Sequence, residues 1–452
     1  MPSLSEISRK YRDSFEAGIA AGAAIDPARH RQALAYAQRY ADFEESVRRM
    51  RWLGYSGSRR GLDLGSGIGH WCLAFAYFGG HATGIEMRPE FVAIAEHCAR
   101  AIGYADRTRF VTARIEAVDL PAGSFDAAWS HSVLMYADAE PAIEKAAAAL
   151  AENGRFYIGY TTEGGRLDSI ESGLFDVEAC DKVGQQLTIM LNGYLHRAGV
   201  YHTVGGRVRM LRFDDLKRLC GAFGLRSVGE PGVQDLPGRY RGVPATFDLL
   251  AQKIEGSDAA RDRLLACDWT NGALIDELER LLAADCPRLV CDVIATIDRD
   301  LKEGSGRDLY ARALVRAGRA RSADAVRVFE SGSALPELTK ALYAQDRGQF
   351  SEALRHHRRL GDGDPQRGFL AGCCLLQLRE WTAARREFRL AIENGGEMRS
   401  WIGVVAAHWS AGDLDGARAA YRAFLQTLDW PAAGEFEGAN RSNPIAVASA
   451  RG

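Results

Sequence analysis

Short apolar segments alternate with longer amphipathic segments between residues 61 and 160. The period-two and apolar segments predict strands over 61–64, 81–85, 108–112, 125–130 and 154–160. Helical spacing of apolar residues predicts helices over 68–78, 89–102 and 140–151. Regular alternation of strand and helix is typical of a parallel sheet with helices on both faces. We therefore expect a doubly wound α/β fold in this part of the chain.

The segments on either side of this region have different patterns. Residues 5–54 have helical periodicity, and residues 161–205 interrupt the alternation with a mixed segment. A helix is then predicted over 213–223, followed by strands over 225–228 and 246–253. Two late strands with no helix between them indicate an antiparallel hairpin at the sheet edge.

Beyond residue 254 the pattern is helical and repetitive. When four alanines are aligned, a bulky ring follows each one by four residues. The alanine and ring pairs are Ala325 and Phe329, Ala353 and His357, Ala384 and Phe388, and Ala417 and Tyr421. Their spacing is close to the 34 residues of tetratricopeptide repeats, and segments such as FLAGCCLLQLREWTAARREFRLAIENG resemble that family. A generic helical bundle is the alternative.

Composition limits the classes of function. The chain has 452 residues, which predicts two or three domains, and a formal net charge of −2, which argues against a mainly electrostatic hold on nucleic acid. No segment has the apolar length of a membrane span, and the N-terminus does not resemble a secretory signal. Nine scattered cysteines without a CxxC motif indicate a cytoplasmic protein. The tail over 433–452 is expected to be loosely attached.

The strongest local motif is GLDLGSGIGHW at 61–71, where a predicted strand runs into a glycine loop and then a helix. Glycines let the backbone turn sharply and let a cofactor approach it closely, and the helix N-terminus offers free N–H groups. A dinucleotide fingerprint would require glycine at position 70, where this chain has His70. The next strand ends in Glu86, a carboxylate suited to accepting hydrogen bonds from both ribose hydroxyls.

This GxGxG pattern after an acidic strand resembles motif I of the class I S-adenosylmethionine-dependent methyltransferases. The segments RFVTARIEAVDLPAGSFDAAWSHSVLMYAD and AAAALAENGRFYIGYTTEGG resemble the later strands and helices of that family, so that the likeness covers about 35–253. The resemblance implies a Rossmann-like, seven-stranded sheet within a domain over 1–253, in which 1–54 are N-terminal helices and 161–205 cap the substrate pocket. An all-α, tetratricopeptide-like domain is expected over 254–432.

The resemblance also implies the cofactor, S-adenosyl-L-methionine, and the residues that contact it. Those expected to frame its methionine end, its ribose and its adenine, and to lie beside its methyl group, are Asp63, Gly65, Ser66, Gly67, Gly69, Glu86, Met87, Arg114, Ile115, Glu116 and Ser130. Many relatives have an acidic residue followed by a small one where this chain has Arg114 and Ile115. Glu116 is therefore an alternative contact for the adenine amine.

The residues after the fourth strand limit the kinds of methyl transfer that are expected. Ser130-His-Ser-Val does not resemble the (N/D)PPY motif of amide and adenine N-methylation, and no Pro-Cys nucleophile is nearby. This leaves O-methylation, or methylation of an ordinary amine. Removing a hydroxyl proton needs a general base, and the candidates are His131, then His196 and His202 in the cap. No cluster of metal ligands is apparent in the sequence.

Three functions remain open from the sequence. The first is an O-methyltransferase for a small molecule or a sugar hydroxyl, with the repeats used for self-association or substrate presentation. The second is a protein methyltransferase whose repeats recruit the substrate protein. The third is a repeat scaffold without catalytic activity, against which the intact glycines and Glu86 argue.

Overall fold

The computed structural model describes residues 3–23, 42–175, 180–195, 211, 213–228, 239–240, 243–266, 271–297, 306–330, 335–361, 365–395 and 398–428. Two of the predicted site residues, His196 and His202, lie outside the described residues. Within the described ranges, no helix has both the length and the apolar character needed to cross a membrane.

A seven-stranded sheet forms the centre of the N-terminal half, as predicted. Its strands are β1 (Arg60–Leu64), β2 (His81–Glu86), β3 (Thr108–Thr112), β4 (Phe125–His131), β5 (Leu150–Thr161), β6 (Leu225–Ser227) and β9 (Thr246–Lys253). They lie in the order β3-β2-β1-β4-β5-β9-β6, and β1 to β5 are parallel. The late strands pair antiparallel as expected, but β9 lies between β5 and the edge strand β6. A separate pair consists of β7 (Arg239–Tyr240) and β8 (Val243–Pro244).

Helices cover both faces of the sheet. They are α1 (Leu4–Ala23), α2 (Phe43–Trp52), α3 (His70–Tyr77), α4 (Pro89–Ile102), α5 (Ala139–Ala149) and α8 (Phe213–Ala222). The helix predicted over 68–78 begins at His70, because Gly69 has the left-handed φ of 78° and ends the preceding turn. The segment predicted to be a cap forms two helices, α6 (Glu163–Phe175) and α7 (Cys180–Tyr194).

The C-terminal part is helical throughout its described residues. It consists of α9 (Ala259–Ala266), α10 (Asn271–Ala283), α11 (Pro287–Ile297), α12 (Arg307–Arg316), α13 (Ala323–Glu330), α14 (Glu337–Asp346), α15 (Phe350–His357), α16 (Pro365–Gln377), α17 (Trp381–Glu393), α18 (Met398–Ser410) and α19 (Leu414–Leu425). The four aligned alanines are fully buried, one each on α13, α15, α17 and α19. Identical burial at the aligned positions agrees with the periodicity seen in the sequence, while membership in the tetratricopeptide family stays a prediction.

The described residues form three hydrophobic cores, and two of these cores include residues on both sides of position 254. The first core joins the four helices α1–α4 to one face of the sheet. The second joins the opposite face to α9–α13, and the third joins α6 and α7 to α14–α19. The carboxylate of Glu140 on α5 strengthens the second junction by accepting hydrogen bonds from the backbone amides of Arg288 and Leu289, at 3.0 and 2.8 Å, in the first turn of α11.

Candidate active site at the carboxyl edge of the sheet

The glycine loop after β1 turns over the end of β2. The backbone amides of Gly65 and Ser66 both donate to the carbonyl oxygen of Ile85, at 2.8 and 2.9 Å. Gly65 has a φ of 86°, and a Cβ there would lie 2.4 Å from the side chain of Val133. A larger residue at this position would be strained and would displace the loop that follows β4. The loop geometry therefore requires this glycine.

Glu86 lies at the end of β2, beneath the same loop. Its carboxylate accepts a hydrogen bond from the amide of Gly67 at 2.9 Å and another from the amide of Arg88 at 3.0 Å. Burial raises the pKa of Glu86, while the two amide donors act in the opposite direction. A carboxylate has about four acceptor positions, so acceptor capacity remains for a ligand hydroxyl. The arrangement fits a ribose held between the loop and Glu86.

The next residue, Met87, is 57% exposed although it is apolar. An exposed apolar side chain directly after Glu86 fits contact with a flat base such as adenine. Ile115 is buried in a short 3₁₀ helix, Ile115–Ala117. Glu116 accepts a 2.7 Å hydrogen bond from the amide of Asp138 and lies 3.5 Å from Arg114. The structure thus engages Glu116 in holding the loop after β4.

Asp63 is buried beneath the loop. It accepts a 3.5 Å hydrogen bond from the thiol of Cys72, and burial raises the pKa of Asp63 to about 7. The hydroxyl of Ser130, also fully buried, donates to the carbonyl oxygen of Leu64 at 3.1 Å and ties β4 to the end of β1. Ser130 thus supports the backbone before the glycine loop, whereas Asp63 contacts a side chain of α3.

His131 lies at the last position of β4, in a row of aromatic rings. Its imidazole stacks on Trp71 at 5.1 Å between ring centroids and on Tyr157 at 6.4 Å. Gly159 leaves the space for this ring, because a Cβ there would lie 2.3 Å from Nδ1 of His131. The next residue, Ser132, has a φ of 56°, which is uncommon for a residue other than glycine. Backbone of this kind occurs preferentially at functional sites.

A polar pair lies behind this aromatic row. The hydroxyl of Tyr157 donates a 2.6 Å hydrogen bond to the carboxylate of Asp248 on β9. Burial raises the pKa of both groups. Burial acts to lower the pKa of Arg49 on α2, but Tyr157, Glu45 and Asp248 together raise it above its ordinary value. Sequence reasoning missed Tyr157 and Asp248. The period-two pattern of β5 places Tyr157 and Gly159 on one face, but the register of β9 against β5 is visible only in the structure.

The described residues contain no group of three or more His, Cys, Asp or Glu side chains placed to hold a metal ion. The groups that the fold does bring to this edge are the amides of the glycine loop, the carboxylate of Glu86 and the aromatic row around His131.

Comparison with known proteins is consistent with this site. Residues 62–158 match a family model described as a methyltransferase domain. Over 100 residues the chain is 30% identical to the uncharacterized methyltransferase YcgJ of Bacillus subtilis (strain 168), a match that covers 22% of this chain and 39% of that protein. The segment matched by the family model contains the glycine loop, Glu86 and His131, so the match falls on the candidate site. The family match supports S-adenosylmethionine as the cofactor.

Two solved structures are similar to part of this chain. The crystal structure of YcgJ has 19% sequence identity and a TM-score of 0.33, and the similarity covers 47% of this chain and 100% of that chain. Magnesium protoporphyrin IX methyltransferase from Synechocystis PCC 6803, solved with bound SAH, has 14% identity and a TM-score of 0.32, with coverage of 48% and 83%.

Proposed function

We propose that this protein is an S-adenosylmethionine-dependent methyltransferase that methylates a hydroxyl group of a small molecule or a sugar. The observation that carries the proposal is the hydrogen bond between the Gly67 amide and the Glu86 carboxylate, which joins the two predicted halves of a cofactor site. His131, at the end of β4, lies at the same carboxyl edge of the sheet. In open α/β sheets, ligands bind at this edge.

The protein's own groups have distinct roles in this reaction. Glu86 would accept the ribose hydroxyls, the backbone around Gly67 and Gly69 would lie against the methionine end, and Met87 would pack against the adenine. The cofactor would supply an electrophilic methyl group to the acceptor oxygen and leave as S-adenosylhomocysteine. His131 takes the proton of the acceptor hydroxyl as general base. Holding the acceptor at attack distance is the remaining contribution of the protein.

We propose that the C-terminal helices hold the cap helices α6 and α7 in place over the acceptor site. The cap helices α6 and α7 have their hydrophobic core in common with α14–α19. Arg418 on α19 also donates to the carbonyl oxygen of Leu174 on α6 at 2.9 Å. A domain built into the cap in this way is suited to shaping the acceptor pocket.

A protein methyltransferase is the second candidate, and one observation favours it. A groove on the C-terminal helices is lined by three arginines of α17, Arg385, Arg386 and Arg389, which outnumber its two carboxylates, Glu393 and Asp413. Such a groove has the charge to receive an acidic peptide.

Transfer of a radioactive methyl group from S-adenosylmethionine to a cell extract separates the two candidates. The extract is divided by size into a small-molecule fraction and a protein fraction, and each is incubated with the enzyme or with Glu86→Ala. We expect label in the small-molecule fraction only, and none with the variant. Label in the protein fraction would favour the second candidate, and equal labelling by the variant would refute the cofactor site.

A further inference from the structure

Arg166 is a buried cation in the cap with no acidic partner among the described residues. It lies in the first turn of α6, directly after β5, and is 5% exposed. One guanidinium nitrogen donates a 2.8 Å hydrogen bond to the amide oxygen of Gln186, and the other lies against the sulfur of Met135. The third nitrogen, Nε, has no hydrogen-bond partner in the described part of the chain.

Burying the charged guanidinium of Arg166 without an anionic partner is unfavourable for the free energy of folding. Removing a guanidinium from water is unfavourable unless an anion and a full set of acceptors replace the water. An amide oxygen is a neutral acceptor and a thioether sulfur is a weak one, so neither compensates the positive charge. The buried charge therefore points to a negative group that joins it from outside the described residues.

The position of Arg166 connects it to the proposed acceptor site. Met135 and Tyr136, which contact its guanidinium, belong to the segment that leaves β4 directly after His131. The ring of Tyr136 is 5.8 Å from the guanidinium carbon, and this tyrosine is 46% exposed. These features together form an electropositive, partly aromatic corner beside the end of β4.

We propose that Arg166 binds an anionic group of the methyl acceptor, a carboxylate or a phosphate. The inference rests on the proposed transferase function, because it assigns the anion to the acceptor of that reaction. The planar guanidinium fork matches two oxygens of either anion, and the low dielectric of the cap strengthens the contact. Tyr136 contacts the organic part of the acceptor that carries the anion.

Gln186 offers a sharp test, because Gln186→Glu changes the charge with almost no change in shape. The new carboxylate pairs with Arg166 inside the protein and neutralises the charge that would bind the ligand anion. The probes are benzoate, phenyl phosphate and the neutral benzamide, titrated at constant ionic strength with saturating S-adenosylhomocysteine. Dissociation constants come from the melting temperature as a function of probe concentration. Arg166→Gln is the second variant, and Glu96→Gln, an exposed change on α4, is the control.

For the wild-type protein and the control, we expect benzoate, phenyl phosphate or both to bind and benzamide to bind at least about tenfold more weakly. Gln186→Glu should fold with unchanged or higher melting temperature and bind the anions at least about tenfold more weakly. Binding of benzoate alone assigns a carboxylate, and binding of phenyl phosphate alone assigns a phosphate. Anion binding that is absent in the wild type, or equal in Gln186→Glu, would overturn the proposal. Failure of S-adenosylhomocysteine itself to bind would instead refute the transferase function.

Discussion

The hydroxyl of Tyr421 on α19 donates a 2.7 Å hydrogen bond to the carbonyl oxygen of Leu167 on α6, and both side chains are fully buried. The two residues are 254 positions apart in the sequence. This bond joins the last described helix of the C-terminal domain to the cap that follows β5. The cap and the C-terminal helices therefore form one mechanical unit.

Tyr421→Phe should loosen the cap without a large change in packing. Losing one buried hydrogen bond costs about 1 kcal/mol, and the unpaired carbonyl adds to this cost. We expect a lower melting temperature and faster hydrogen exchange in residues 163–194, measured by mass spectrometry. Tyr343→Phe is the matched control, since the Tyr343 hydroxyl contacts the exposed Arg347 that directly follows its own helix. Faster exchange that was equal in both variants would argue against the cap as the element held by Tyr421.

His357→Phe should stabilise the protein in acid. Burial lowers the pKa of His357 to about 3, and neither ring nitrogen has a hydrogen-bond partner among the described residues. Below the ordinary histidine pKa of about 6.5, the unfolded chain binds a proton that the folded protein does not, so stability falls with pH until about pH 3. Phenylalanine removes this loss, which is about 2 kcal/mol at pH 5. Two of the aligned positions, Phe329 and Phe388, already have phenylalanine.

The measurement for this variant is urea denaturation at several pH values. His81→Phe, at an exposed position at the start of β2, serves as the control. A stability difference between His357→Phe and the wild type that did not grow from pH 7.5 to pH 5 would contradict the explanation.

Asp63→Asn should stabilise the protein in alkaline solution. Burial raises the pKa of Asp63 to about 7, against about 3.9 in the unfolded chain. Between these two pH values the folded protein binds a proton that the unfolded chain has lost. The contribution of Asp63 to the free energy of unfolding is therefore complete below about pH 4 and is lost as pH rises to about 7. Asparagine cannot ionise, and we expect a gain of up to about 4 kcal/mol at pH 8 that vanishes near pH 4. Thermal and urea denaturation over about pH 4–8 check this, and a gain independent of pH would contradict it.

Gly159→Ala should inactivate the enzyme by displacing the proposed base. The added methyl group would lie 2.3 Å from Nδ1 of His131, so the imidazole must move. We expect turnover to fall by about 10²–10⁴, as for His131→Ala, while S-adenosylhomocysteine binds as before. Turnover is measured on the acceptor labelled in the methyl-transfer experiment. Gly57→Ala, where a Cβ would meet nothing within 4 Å, is the control. Turnover of Gly159→Ala within a few-fold of wild type would contradict the placement of the base.

Much of the fold could be predicted because its signals are local. Each of the seven strands gives a short apolar pattern in the sequence, and the glycines after β1 mark the turn into α3. The insertion of β9 between β5 and β6 could not be predicted in this way. It depends on pairing between Tyr157 and Leu250, which are far apart in the chain and have no local signal.

The candidate site shows the same difference between residues with a local sequence signal and residues placed by long-range packing. Glu86 and the glycine loop follow from a motif whose residues are close in sequence, and the structure brings them into hydrogen-bond contact. Arg166 could not be singled out, because a lone arginine in the first turn of a helix is ordinarily solvated. Its burial results from α7 and the loop after β4 packing around it, and the pattern of α7 predicts a buried face without indicating its neighbour.

The cofactor assignment depends on the loop around Gly67 and the carboxylate of Glu86. Isothermal titration calorimetry of S-adenosylhomocysteine against the wild type, Glu86→Ala and Glu96→Ala is the decisive experiment. Hydrogen bonds to a charged group contribute about 1.5–3 kcal/mol each, so we expect affinity to fall by about tenfold to a hundredfold or more in Glu86→Ala. Glu96→Ala, which removes an exposed glutamate of α4, should bind as the wild type does. Wild-type affinity in Glu86→Ala would contradict the assignment.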